Sequence, residues 1–106
     1  MKEDSVYLRH ILDSVRKIRN YTSGGKEAFF KDPLIQDGVI RNLEIIGEAT
    51  KNLSQKLRDS EDHIPWKLMA GMRDKLIHEY FGVNMPLIWN VVELEIAKLE
   101  GKIEVF

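Results

Sequence analysis

"DPLIQDGVIRNLEIIGEATKNLSQKL", residues 32–57, decides how the rest of the chain is read. Ile35, Val39, Leu43, Ile46, Thr50, Leu53 and Leu57 recur at mostly three- and four-residue steps, and Ile40 and Ile45 widen the stripe. That period belongs to a helix with one buried face. Asp32 stands where an N-cap is wanted, and Pro33 takes the first helical position, where a missing N–H costs nothing. The stretch predicts one long amphipathic helix. Gly47 sits in its middle, at a cost of about 1 kcal/mol relative to alanine. A glycine there lets another helix come close, and the helix carrying residues 73–80 is the candidate neighbour.

Helical periods continue on both sides. In "SVYLRHILDSVRKIRNYT", residues 5–22, Leu8, Ile11, Leu12, Val15 and Ile18 share a face, and Asp4 or Ser5 can cap the helix. Ser23-Gly24-Gly25 ends it, and Phe29-Phe30 reads as a short turn that plugs the edge of the core. "RDSEDHI", residues 58–64, is a polar loop. Pro65 then opens "PWKLMAGMRDKLIHEYF", whose apolar face is Trp66, Met69, Met72, Leu76 and Ile77. Gly71 is a kink or a close contact, and Gly82 a stop. Asn84 caps a last helix with Leu87, Ile88, Val91, Leu94 and Ile96 inward. Gly101 precedes a short tail, and "KIEVF", residues 102–106, is the one plausible strand, without a partner. Four main helices with short connections predict an all-α, four-to-five-helix antiparallel bundle, with residues 1–106 as a single domain.

Composition narrows the function. The 106 residues carry 16 basic and 17 acidic side chains, a formal net charge of −1. Global attraction to a polyanion is not expected, so a nucleic acid would need local positive charge. The absence of cysteine excludes disulfides, thiolate metal sites and cysteine nucleophiles, and fits a cytoplasmic setting. No apolar run approaches the ~18 residues of a membrane span, and "MKEDSVYLRH" does not resemble a signal peptide. His10, His63 and His78 have no metal-binding spacing. A small core also makes self-association useful, because it buries a further apolar face.

Chemistry concentrates in "RDKLIHEY", residues 73–80. At about 100° per residue, Arg73 and Tyr80 share a stripe, Asp74 and His78 are neighbours, and Arg73 and His78 stand about 140° apart. They converge on one small group only at the edge of a groove. Arg73 can grip phosphate oxygens in a bidentate fork. His78 can exchange a proton near neutral pH, and Asp74 can orient its imidazole. These parts suit RNA cleavage, in which the 2′-hydroxyl attacks the adjacent phosphate. One histidine does not easily serve both the attacking and the leaving oxygen, and a second copy across a two-fold axis would supply another. Spacing alone leaves a plainer reading beside this one: a solvated Arg73, a half-buried His78 and a Tyr80 packed at a helix end.

The segment matches the Arg-x4-His-x-Tyr motif of HepT-like toxins in the HEPN superfamily, and the resemblance is wider than the motif. "VIRNLEIIGEATKNLS" (39–54), "IPWKLMAGMRDKLIHEYFGVN" (64–84) and "IWNVVE" (88–93) resemble that family in order and spacing. The resemblance implies a homodimeric HEPN-like bundle and a metal-independent endoribonuclease, without a cofactor, whose composite site lies in the dimer cleft. It implies that Arg73 and His78 are the catalytic pair and that Asp74 occupies the polar position after the arginine. It further implies a toxin–antitoxin pair, in which a minimal nucleotidyltransferase antitoxin transfers AMP to Tyr80 and blocks the site. A non-catalytic dimeric module that binds a nucleotidyltransferase or a nucleotide is the alternative.

Other polar residues admit two readings. Arg41, Glu44 and Glu48 form a solvated ladder, or one glutamate reaches Arg73 and fixes its rotamer; the "IGEA" match favours Glu48 in that role. Lys51 and Lys75 read as solvated lysines that could also touch RNA backbone. Trp66 and Trp89 lie at core spacing, so packing is expected rather than base stacking. Met69, Met72 and Met85 read as filler of the core or dimer face. His10 and His63 are assigned surface or structural roles.

Overall fold

The structure, a computed structural model, describes residues 2–78 and 84–104, with the side chains of Lys2, Leu76, Ile77 and His78 outside that description. It is helical throughout, with no strand among the described residues. The elements are α1 (Lys2–Tyr21), α2 (Gly25–Lys31), α3 (Pro33–Asn52), α4 (Gln55–Ser60), α5 (Trp66–His78), α6 (Met85–Val91) and α7 (Ala97–Glu104). A π-helical turn, Val92–Ile96, joins α6 to α7 without a break. The expected all-α bundle is therefore observed, with α1, α3, α5 and the α6–α7 rod as its long members.

The bundle is organised around α3, which packs against α1 on one side and α5 on the other, while α7 closes on α1. The core follows the expected stripes. Ile11, Val15 and Ile18 of α1 meet Val39, Leu43 and Ile46 of α3, all fully buried or nearly so. Each such side chain contributes about 1.5–3 kcal/mol. Thr50, on the same stripe, is buried without penalty because its hydroxyl donates to the Ile46 carbonyl at 2.8 Å. Asp32 caps α3 as expected, its carboxylate accepting from the Leu34 N–H at 2.9 Å.

Several expectations are corrected. The predicted helix from 33 to 57 is two helices: Leu53 turns to an extended conformation, and Ser54 caps α4, its hydroxyl accepting from the Leu57 N–H at 3.1 Å. Leu53 stays buried, so the stripe survives the break. Asp4 does not cap α1, which begins at Lys2. It is buried and accepts from the Ser54 N–H (2.8 Å) and hydroxyl (2.7 Å), pinning the start of α1 to the α3–α4 junction. Those hydrogen bonds hold its carboxyl below the ordinary 3.8. Phe29-Phe30 belongs to helix α2 rather than a turn, yet Phe29 does plug the core, 5.3 Å from Trp89 between ring centroids.

The last segment shows a competition between two apolar stripes. Leu87 and Leu94, expected inside, are exposed, and the buried set is Ile88, Val91, Val92, Ile96, Leu99 and Ile103. The π turn lets this second set stay on one face over its length. Gly101 lies within α7, and residues 102–104 of the supposed strand are helical. Trp66 and Trp89 are core residues, their indole N–H groups donating to the Glu61 carbonyl (3.0 Å) and to Glu93 (3.2 Å). Met69 and Met72 fill the core. The expected stop at Gly82 lies outside the described residues.

Gly47 and Gly71 differ in kind. A Cβ at Gly47 would stand 2.2 Å from the Arg73 Cβ and 2.8 Å from the Met69 carbonyl oxygen. The expected close approach is thus made by α3 and α5, backbone to backbone, and it falls at Arg73. A Cβ at Gly71 would meet nothing within 4 Å among the described residues, so that glycine makes no close contact there. Two alanine substitutions should then move stability in opposite directions. Gly47→Ala forces α3 and α5 apart and should cost about 2 kcal/mol. Gly71→Ala should add about 0.5–1 kcal/mol through helix propensity. Urea unfolding of both variants checks the pair of signs.

Candidate functional site

The seam between α3 and α5 positions the polar residues singled out above. Glu48 follows Gly47, and Lys51 lies one turn further, on the same side of α3. Arg73 and Asp74 are consecutive on α5. Because Gly47 has no side chain, the Arg73 stem lies directly over α3 and its guanidinium meets Glu48, with Nε 3.1 Å from Oε2. On its other side the Arg73 Nη1 donates to Asp74 Oδ1 at 3.2 Å. The Lys51 ammonium donates to that same oxygen. The order in space is Glu48, Arg73, Asp74, Lys51: two cations and two carboxylates in alternation.

The arrangement decides between the readings left open by the sequence. Glu48 does reach Arg73, whereas the ladder with Arg41 is not formed among the described residues. Asp74 is engaged by Lys51 and Arg73, and its expected neighbour, the His78 side chain, lies outside the described residues. Lys51, and after it Arg73, hold the Asp74 carboxyl below its ordinary value of 3.8. Lys51 is exposed, as expected, and is also a member of the cluster, a role its sequence position did not signal. Lys75 is exposed. His78 is the last described residue of α5, five residues beyond Arg73, and its side chain lies outside the described residues, as does all of Tyr80.

The guanidinium is held without being sealed. The Arg73 side chain is 30% exposed and that of Glu48 56%. An arginine has five donors, and the two carboxylates engage only the Nε and Nη1 groups. Arg73 also forms one wall of a cleft of about 260 Å³ that runs between α3 and α1. The opposite wall is Tyr7 and His10 of α1, and Arg41 stands on the α3 side. The Tyr7 and His10 rings are perpendicular, with centroids 6.1 Å apart. Sequence reasoning missed these residues as members of the site. The only signal was that Tyr7 and His10 flank the buried stripe of α1 at i, i+3. Which flank faces α5 depends on how α1 is rotated against α3. Among the described residues no group of three or more histidine, aspartate or glutamate side chains could hold a metal ion. No helix of the described residues is long and apolar enough to cross a membrane.

The structure thus places an arginine between two carboxylates at the lip of a cleft, five residues ahead of His78. Comparison with known proteins gives the family. Residues 11–106 match the model of the family described as ribonuclease HepT-like. A Methanocaldococcus jannaschii protein, described as a gamma-glutamylcyclotransferase and, provisionally, an RNase, is 50% identical over 96% of this chain. The chain spans only 46% of that relative's own length. A Caldanaerobacter subterraneus subsp. tengcongensis protein, described provisionally as an RNase, is 47% identical over 98% of this chain and 94% of its own. A Thermococcus cleftensis protein, described provisionally as ribonuclease HepT, is 44% identical over 92% of this chain and 90% of its own. No solved structure matches. The chain belongs to the ribonuclease HepT-like family, and the expectation of an enzyme of the nuclease class stands at that level.

The cluster makes a titration prediction. In the folded chain Asp74 should release its proton below the ordinary 3.8, because Lys51 and Arg73 both favour the carboxylate. Lys51→Met removes the larger influence, so the Asp74 midpoint should move upward, read by carboxyl-carbon NMR. Global stability should hardly change, since the pair is exposed. An unmoved midpoint would mean that Lys51 does not set the charge of Asp74.

Proposed function

We propose that this chain is a metal-independent endoribonuclease in which Arg73 grips the scissile phosphate and His78 transfers protons. The observation that carries the reading is the clamp on Arg73. Its guanidinium is held by Glu48 and Asp74, on the helix that carries His78, in a member of a ribonuclease family. As the RNA phosphate arrives, the unused guanidinium donors take its oxygens. Negative charge then grows on those oxygens as the 2′-hydroxyl oxygen bonds to phosphorus, and a preset cation stabilises that charge. The 2′-hydroxyl gives up its proton to a base, and the 5′-oxygen leaves with a proton from an acid. The products are a 2′,3′-cyclic phosphate and a 5′-hydroxyl. Two imidazoles serve these two oxygens if a second copy of the chain brings its own His78, so the working unit is a homodimer with a composite cleft.

The same reading gives Tyr80 a regulatory role. A partner nucleotidyltransferase, the antitoxin of a toxin–antitoxin pair, transfers AMP from ATP to the Tyr80 hydroxyl, and pyrophosphate leaves. Tyr80 is seven residues beyond Arg73, on the same stripe of an ideal helix. The added phosphate would compete with RNA for Arg73 and screen its charge. RNA as substrate goes with a cytoplasmic setting.

Purified protein should cleave single-stranded RNA in the presence of EDTA. His78→Ala should lower the rate by at least about a hundredfold while the far-ultraviolet circular dichroism stays helical. Cleavage at the wild-type rate in that variant would remove His78 from the mechanism. Harmless, uncleaving wild-type protein that still binds a nucleotidyltransferase would favour the non-catalytic module. Separately, incubation with the partner and ATP should add AMP to the wild type and not to Tyr80→Phe. An adduct that persists on the phenylalanine variant, read by mass spectrometry, would assign the modification elsewhere.

A further inference from the structure

We propose that the cleft between α1 and α3 is a nucleotide subsite, which holds the nucleotide next to the scissile phosphate of a single-stranded RNA. The inference rests on the ribonuclease reading and says where the strand runs. Arg73 is the shared wall: it lines the cleft and stands in the charge cluster. A strand whose phosphate sits on Arg73 therefore has this cleft beside it.

The cleft is lined by two arginines, Arg41 and Arg73, and by two glutamates, Glu44 and Glu48, so the case rests on how these charges are paired. Arg16 and Arg19 are paired with glutamates, and Arg73 is clamped between two carboxylates. Arg41 has no hydrogen-bond or ion-pair partner among the described residues, although Glu44 lies three positions on. An exposed arginine that ignores an available carboxylate is a ready partner for a phosphate. Seven residues separate it from Glu48, about 10 Å along α3. Arg41 and Arg73 line the same cleft, so one strand lying in it can meet both.

Shape and chemistry supply the rest. Tyr7 and His10, perpendicular and 6.1 Å apart, offer a base an aromatic face and an aromatic edge. Ala49 belongs to the lining and is itself buried, which gives the cleft an apolar floor. The Asn52 amide is anchored by its Nδ2, which donates to the Glu48 carbonyl at 2.9 Å. Its Oδ1 remains to accept from the polar edge of a base. At about 260 Å³ the space is small beside the roughly 300–1,000 Å³ of drug-sized pockets. It suits one base, unstacked from its neighbours, and so a single strand rather than a duplex.

The test is equilibrium binding of 2′-O-methyl RNA hexamers, which lack the attacking hydroxyl and cannot be cleaved. One hexamer is intact, and a set of others carries a single abasic position at each place in turn. For the intact strand, Tyr7→Leu should weaken binding about tenfold. For the strand abasic at the subsite position, wild type should weaken by a similar factor and Tyr7→Leu should add nothing further. Arg41→Gln should weaken every strand severalfold and lower the salt dependence by about one counterion. If Tyr7→Leu does not fold, His10→Ala and Arg41→Gln, both at exposed positions, decide the matter. Wild-type binding that all three variants retain would overturn the subsite and leave the ribonuclease reading standing. Wild type that neither binds these strands nor cleaves RNA would overturn both. Variants that bind RNA normally but change the sedimentation coefficient would assign the cleft to contact with a second copy of the chain, and the subsite would fall.

Discussion

The close approach of α3 and α5 at Gly47 is the constraint on which the rest of the site depends. With only hydrogen at that position, the backbone of α5 settles until Met69 and Arg73 touch the backbone of α3. The registry of the two helices is then set at one point. Everything polar follows from it: Glu48 is the next residue, Lys51 the next turn, and each finds its opposite charge on α5 without a long reach. A larger residue would separate the helices by a side chain's width and lengthen all of these contacts together. The mid-helix glycine is unfavourable for α3 alone and favourable for the pair of helices.

The electrostatics of the seam serve positioning more than stability. All of these ion pairs are partly exposed, so each contributes little to folding. Their effect is on geometry. A lone arginine at a surface samples many rotamers, whereas one clamped from both sides presents its remaining donors in a fixed plane. Asp74 could not clamp Arg73 as firmly if its carboxylate were readily protonated, and Lys51 is the group that most strongly keeps it charged. The chain of influence runs from α3 to Asp74 and back to Arg73. In the proposed reaction, the arginine need not be reorganised when charge develops on the phosphate.

Much of this was legible in the sequence, and the boundary of what was legible has physical causes. Hydrophobic period fixes which face of a helix is buried, so Ile11, Val15, Ile18, Val39, Leu43 and Ile46 were readable. It fails where two faces are apolar, as in residues 85–100: Leu87 and Leu94 compete with Ile88, Val92 and Ile96, and the π turn decides. It also does not report a break that leaves the stripe intact, which is why Leu53 hid the α3–α4 junction. In the site, the mid-helix glycine pointed to a close approach, and one glutamate was placed near Arg73. The family resemblance, rather than spacing, singled out that glutamate. Lys51, Tyr7, His10 and Arg41 were not legible as site residues, because their meeting depends on the rotation of α1 and α5 about α3. A charge pattern along one helix carries no information about that rotation.

Net charge gives the last step. A chain at −1 has no overall field to draw in a polyanion, and its charge cluster is internally neutral. Attraction must then be local and short-ranged, and Arg73 alone begins with both flanks occupied. An RNA phosphate gains little by merely replacing a carboxylate on that guanidinium, because one anion is exchanged for another. A cation with no partner among the described residues changes the balance, since it meets the strand without giving up one of them. Arg41 is placed for that role, on the cleft that Arg73 also lines. The proposed division is therefore one arginine to hold the strand and one, already oriented, to meet the charge that appears only when the bond begins to break. Such a division favours the transition state over the ground state, because the oriented arginine gains most when the phosphate carries its extra charge.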